Sequence, residues 1–253
     1  MATAAEPRPL DSTARQMHPD QIESVIQGEA QRSDLAAVSA SWRRCLAERG
    51  LDPESPSAPN IATEYELKSF REPLVKEIYT AREEIDRLYA IVRQEEYVVL
   101  LCNSEGVAVQ HRGDKNMAEQ FKSRGIWLGG IWSEAIEGTN GIGTCVVEER
   151  PVLIHRNQHF RSRHTDLTCA GAPIFDPTGR LAMVLDISSM SATQAHTLNL
   201  AATKVAAYEV EERLLRYRWD SEFLIFITGN HVWRVRIFVL MSKMSNEDRS
   251  KES

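Results

Sequence analysis

WSEAIEGTNGIGTCVVEERPVLIHRNQHF, residues 132–160, sets out in order a glycine-punctuated turn, a short helix, a strand and a polar loop. Glycine lets backbone approach a ligand or a neighbouring element closely. Small-molecule sites are concave and carry a few placed polar groups among apolar walls. Trp132, Glu137, Thr139, Asn140, His155 and His159 offer contacts of that kind, and Trp127, Phe160 and Cys169 complete the candidate ligand-binding set. Thr139 or Asn140 caps the helix that starts after the turn. Backbone amides at residues 139–141 then suit an anionic or carbonyl group at a helix N-terminus; the plainer alternative is that the glycines only make a tight turn. No catalytic motif is recognisable, so the first expectation is a sensor, not an enzyme.

Five strand candidates surround this stretch. YVVLLC (97–102) and VAVQH (107–111) flank the turn composition NSEG, PVLI (151–154) is a short apolar run, and TCAGAPIF (168–175) and LAMVLDI (181–187) flank DPTGR. Two hairpins and one crossover strand predict an α/β (α+β) fold with a largely antiparallel sheet. KNMAEQFKSRG (115–125) and NGIGTCVVEER (140–150) read as short helices covering one of its faces.

Long helices bracket the sheet. Thr63 followed by Glu66 is a capping pattern, and Pro73 suits the first turn of a helix whose apolar residues Leu74, Ile78, Ala81, Ile85, Leu88 and Val92 alternate by four and three. That spacing fits a seam between helices or one helix lying on its own sheet. From Ser191 to Arg218 a second helix is expected, with Leu198, Ala201, Val205, Tyr208 and Leu215 on one stripe broken by Glu212. Helices placed so predict a parallel homodimer. Upstream, 22–49 is helix-compatible, with Trp42, Cys45 and Leu46 on one face and Gly50 at its end, before the linker DPESPSAPN (52–60).

The chain has 253 residues, 42% hydrophobic and 26% charged, with net charge −6. That balance fits a globular protein with a sizeable core and argues against direct DNA binding by the whole chain. Cys45, Cys102, Cys145 and Cys169 form no CxxC pair and read as reduced thiols in a cytoplasmic protein. The N-terminus lacks the pattern of a signal peptide. The apolar segment 223–241 is interrupted by Gly229, Asn230, His231, Arg234 and Arg236, which makes a poor membrane span.

Taken together, EGTNGIGT (137–144), HFRSRHTDLTCAGAPI (159–174) and DPTGRLAMVLDIS (176–188), within 127–188, closely resemble the GAF domain of sigma-54-dependent transcriptional activators of the acetoin catabolism regulator type. SASWRRCLAERGLDP (39–53) resembles the leader before that domain, so the resemblance covers roughly residues 39–218. It implies a GAF-like sheet and a cytoplasmic module that senses a small-molecule effector and controls an AAA+ activator or another transcription partner. The expected organisation is a flexible arm (1–20), a helical leader and linker (21–62), the GAF-like sensor (63–190), a signalling helix (191–218) and a divergent tail (219–253). Departing from complete members, the sequence holds no G-x-x-x-x-G-K-[ST] phosphate loop and no evident helix-turn-helix, which reads as a truncated or stand-alone module.

Other chemistries weigh less. His155, His159, His164 and Cys169 are metal-ligand types, but their spacing implies no site, and no metal or cofactor is expected. Some GAF proteins reduce free methionine sulfoxide with thiols, which makes Cys145 or Cys169 the rival nucleophile. A helical dimerisation scaffold with a vestigial pocket is the other rival. Arg213, Arg216 and Arg218 suit a helix C-terminus, and Arg161 and Arg163 either bind an anion or face water.

Overall fold

The computed structural model describes residues 18–26, 36–192 and 197–218. The arm up to residue 17, positions 27–35 of the leader and the tail 219–253 lie outside the described residues. The helices are α1 His18–Ile26, α2 Ala36–Arg43, α3 Glu64–Arg71, α4 Val75–Val92, α5 Ala118–Ser123, α6 Glu134–Glu137, α7 Gly141–Glu148 and α8 Thr197–Arg218. Five strands, β1 Val98–Asn103, β2 Ala108–Arg112, β3 Val152–His155, β4 Thr168–Phe175 and β5 Leu181–Ser189, form one sheet in the order β2-β1-β5-β4-β3. Every neighbouring pair is antiparallel, so the expected sheet of two hairpins with an added strand is present.

Turn chemistry sets the hairpins. The Asn103 side-chain oxygen accepts from the amides of Glu105 (3.1 Å) and Val107 (2.8 Å), and Gly106 takes a positive φ of 82°. In the second hairpin the Asp176 carboxylate accepts from Thr178 N–H (2.7 Å) and Arg180 N–H (3.1 Å).

Alternation along the strands sorts side chains onto two faces. Val99, Leu101, Ala170, Ala172, Ile174, Met183, Leu185 and Ile187 face α4 and α8, meeting Ile78, Ala81, Ile85, Leu88 and Val92 from α4. The regular spacing in α4 therefore covers the chain's own sheet. Each fully buried residue such as Leu88 contributes about 1.5–3 kcal/mol over an exposed one.

On α8 the expected apolar stripe lies on the outer side. Thr203, Ala206, Ala207, Val210 and Leu214 are buried, while Leu198, Val205 and Tyr208 are 79%, 62% and 47% exposed. Ala206 and Ala207 on the inner side, facing Ala170 and Ala172 of β4 in the same buried cluster, let α8 pack closely on that strand, with Val210 and Leu214 completing the contact. The helix runs antiparallel to α4, and Arg213 pairs across to Glu83 (2.5 Å) and Glu84 (2.7 Å).

The other face carries the leader and the short helices. Trp42 and Cys45 are buried, and Trp42 Nε1 donates to the carbonyl of Gln158 at 3.0 Å. After α2 one turn, Arg44–Glu48, widens to π geometry before Gly50 takes a φ of 61°. Beyond it the proline-rich linker is strapped down, with Ala62 N–H on Gly129 O (2.8 Å) and Ile131 N–H on Asn60 O (2.9 Å). Thr63 and Glu66 form the expected capping box at the start of α3.

Candidate functional site

Asn140 is the N-cap of α7. Its side-chain oxygen accepts from Ile142 N–H (2.9 Å) and Gly143 N–H (2.8 Å), and its amide nitrogen donates to Trp132 O (3.0 Å) and Gly138 O (2.8 Å). Its own N–H points to Thr144 Oγ1 at 3.2 Å, and Gly141 N–H goes to the Cys169 sulfur. Two of the three amides considered for an incoming anion are thus already used within the chain.

The glycines serve contact. A Cβ on Gly141 would come within 2.5 Å of Asp186 Oδ1 and 2.6 Å of Cys169 Cβ, and one on Gly143 within 2.4 Å of Glu134 N. Gly171 on β4 would put a Cβ 2.2 Å from Gly141 O, so the first turn of α7 lies directly on β4 and β5. Gly138, at φ 71°, touches Phe160, where a Cβ would come within 2.6 Å.

Three buried polar clusters surround this contact. In the first, Glu134 accepts from Arg44 Nε (2.9 Å), Arg49 Nη1 and Ser41 Oγ (2.5 Å), and Ser41 Oγ also lies 2.6 Å from Thr139 Oγ1. Burial alone would raise the Glu134 carboxyl pKa; the donors from Arg44, Ser41 and Arg49 outweigh it and hold the group below its usual range. In the second, Glu137 pairs with Arg163 Nη2 and accepts from His164 Nε2 at 3.0 Å. Its pKa falls to about 2, since these partners overcome its desolvation. The His164 ring sits 4.9 Å from Trp132, and its Nδ1 has no partner.

The third lies between sheet and helix. His159 Nε2 is 3.3 Å from Cys169 Sγ, Ser188 Oγ is 3.1 Å from the same sulfur, and Ser188 Oγ donates to Asp186 Oδ2 at 2.6 Å. Asp186 Oδ1 is buried with no hydrogen-bond partner. Desolvation raises the Asp186 pKa to about 7 and lowers that of His159 to about 3. A cleft of about 200 Å³, lined by Pro59, Ser123, Arg124, Arg163 and His164, opens at the edge of this layer. Arg124 is held there by Asp166 through contacts of 2.9 and 2.6 Å.

Of the expected site residues, Trp132, Glu137, Thr139, Asn140, His159, Phe160 and Cys169 are buried together in this layer. Trp127 packs, partly buried, against the hydrophobic cluster that holds Trp132 and Cys169 and is tilted over His111 at 4.0 Å, and His155 sits at the end of β3 with Nδ1 2.8 Å from Thr168 Oγ1. Asp186, Ser188, Glu134, Ser41 and Arg44 escaped the sequence reading. Asp186 and Ser188 carried a signal: they break the apolar run of LAMVLDISS at positions two apart, on one face of a strand.

The profile described as "MimR, N-terminal domain" matches residues 77–212. The chain belongs to that family. The acetoin catabolism regulatory protein of Cupriavidus necator is 34% identical to this MimR-type chain over 179 residues, covering 70% of the chain and 27% of the relative. The acetoin dehydrogenase operon transcriptional activator AcoR of Bacillus subtilis is 29% identical, covering 73% and 30%. The chain thus spans under a third of the length of these curated relatives, which are transcriptional regulators. The fold is that of E. coli DhaR(N), solved in complex with DhaL, with a TM-score of 0.67 at 20% identity over 72% of this chain and 62% of that one.

In this MimR-type domain His155 lies against Thr168, His164 against Glu137, and His159 and Cys169 against each other. Among the described residues no group of three or more His, Cys, Asp or Glu converges to hold a metal. Cys145 and Cys169 are buried, and desolvation pushes both thiols well above the ordinary range, away from the thiolate form that a nucleophile needs. No described helix is long and apolar enough to cross a membrane.

Proposed function

We propose that this chain is the effector-sensing module of a transcriptional activator of a catabolic operon. The observation that carries this reading is Asp186 Oδ1, a carboxyl oxygen buried between β5 and α7 without a partner. A buried polar atom left unpaired costs about 1–3 kcal/mol, and an incoming hydrogen-bond donor recovers that cost. The effector class is therefore a small, uncharged molecule with a hydroxyl or amide N–H donor, entering from the Arg124/Arg163/His164 cleft and lifting α7 off the sheet. Its differential affinity for the two positions of α7 shifts their populations. The change passes to the leader through Glu134 and Glu148, both held by Arg44, and on to an AAA+ activator or another transcription partner. The module acts as a homodimer in the cytoplasm.

Thermal unfolding in the presence of a panel of small metabolites tests the reading. A ligand at a hundred times its Kd stabilises the native state by about 2.7 kcal/mol. The expected result is a compound that raises Tm in the native protein and loses most of its effect in Asp186→Ala. A panel without any stabilising compound, or one whose effect survives that substitution, would overturn it.

A further inference from the structure

The cleft of about 200 Å³ at the edge of the cover has two charged side chains in its lining, Arg124 and Arg163, and both are cations. The carboxylates that pair with them, Asp166 and Glu137, are not part of its wall. The volume is room for about six waters at about 30 Å³ each, the scale of a three-carbon molecule. Pro59 brings the linker to the same cleft, and Arg163 Nη1 holds that linker by donating to Ser57 Oγ at 2.9 Å.

Hydrogen-bonding positions are left over in this wall. Glu137, with its pKa at about 2, only accepts, so the His164 Nε2 that lies 3.0 Å from it carries the proton. Desolvation lowers the His164 pKa and keeps the ring neutral, and its buried, unpartnered Nδ1 therefore presents a lone pair. The same tautomer leaves Arg163 Nε–H, 3.3 Å from Nε2, facing a nitrogen that cannot accept. On Arg124, the Arg163 carbonyl and Asp166 take both hydrogens of Nη1 and one of Nη2. Its Nε–H and second Nη2–H have no partner among the described residues. Arg161 has no share in the cleft, since its Nη nitrogens donate to the carbonyls of Asp52 (2.6 Å) and Ile136 (2.7 Å).

We propose that this cleft binds a small 2-hydroxycarboxylate, with the carboxylate on Arg124 and Arg163 and the hydroxyl donating to His164 Nδ1. Spare guanidinium donors call for an anionic acceptor, and a carboxylate meets two of them at once. The buried lone pair on His164 calls for a donor, and a ligand that supplies one recovers the cost of leaving it unpaired. The two functions belong on neighbouring carbons, because the guanidinium and imidazole come from consecutive residues and the space is small. A plain carboxylate satisfies the arginines alone; a diol satisfies the imidazole alone. This occupant is charged, so it lies outside the uncharged effector class inferred from Asp186, and the site goes beyond that reading. It also stands in the path proposed for the effector.

Isothermal titration calorimetry on the full chain, at constant ionic strength in chloride, compares sodium lactate with sodium propionate and propane-1,2-diol. The expected result is a Kd for lactate at least tenfold below those of the other two. Ser123→Phe, at an exposed position of the lining, fills the cleft and is expected to raise the lactate Kd at least tenfold with circular dichroism and Tm close to native. Arg124→Gln is expected to do the same by removing the charge; should loss of its pair with Asp166 prevent folding, Ser123→Phe decides alone. Absence of lactate binding both in calorimetry and as a rise in Tm, propionate or propane-1,2-diol bound as tightly as lactate, or a lactate Kd unchanged in either folded variant would overturn the proposal. None of these measurements uses the effector, so this site and the sensing reading at Asp186 fail separately.

Discussion

Arg44 of the leader grips Glu134 of α6 with two nitrogens, Nε at 2.9 Å and Nη2 at 3.1 Å, at a carboxylate with no exposed side-chain surface. The same guanidinium reaches Glu148, the last residue of α7, at 2.9 Å. One side chain thus ties the leader to both helices of the cover. Removing one partner of a buried pair leaves a desolvated charge and costs about 3–5 kcal/mol. Arg44→Ala is expected at the lower end of that range, because Arg49 and Ser41 still reach Glu134. Denaturant melts give the loss, and limited proteolysis should cut the leader faster in the variant.

Gly138→Ala meets two penalties at one position. The backbone there, at φ 71° and ψ −158°, belongs to glycine, and the added methyl would overlap Phe160. Overpacking alone costs about 1–3 kcal/mol, so a fall in stability of at least that size is expected. Val146→Ala, on a half-buried position of α7, is the control expected to lose less.

Asp186 gives the stability a distinctive dependence on pH. Its pKa is about 7 in the folded chain, against about 3.9 in an unfolded one. Between those values the folded state holds a proton that the unfolded state has lost, so this group makes stability fall with rising pH, by at most about 1.4 kcal/mol per unit, and become flat above 7. His159, at about 3 when folded, acts oppositely, since stability is lost as pH falls from about 6.5. Comparison of Tm against pH for the native chain and Asp186→Asn isolates the first effect: the variant should gain relative stability steadily from pH 4 to 7. Parallel curves would refute the assignment.

All four cysteines are buried, and desolvation raises the pKa of each. A disulfide reagent at pH 8 should therefore leave the native chain almost unlabelled for the time in which guanidinium-unfolded chain reacts completely. Rapid labelling of Cys169 in the native state would revive the reductase alternative.

Strand positions were legible because alternation and turn residues act locally. The direction of α8 was not. Periodicity tells which residues share a side, and with apolar side chains on both sides it cannot tell which one meets the sheet; Thr203, polar yet buried, even points the wrong way. The glycines of 138–143 were legible as a close approach, while the things approached, Phe160 by Gly138, Asp186 and Cys169 by Gly141 and Glu134 by Gly143, are set by the tertiary fold. Asp186 itself was hidden as the one acid in an apolar strand, a position at which sequence alone does not distinguish a strand end from a buried carboxyl.

The bare contact of Gly141 with Gly171 and the neighbouring strand residues also has a mechanical meaning. With no side chain acting as a spacer, helix and sheet meet like two plates without a gasket. In the proposed sensing mechanism an effector that enters this joint would lift the first turn of the helix rather than settle halfway. Such a joint behaves as a latch with a threshold. Because Glu148 at the far end of the plate is hooked to Arg44, the proposed release of the latch would pull on the leader at the same moment.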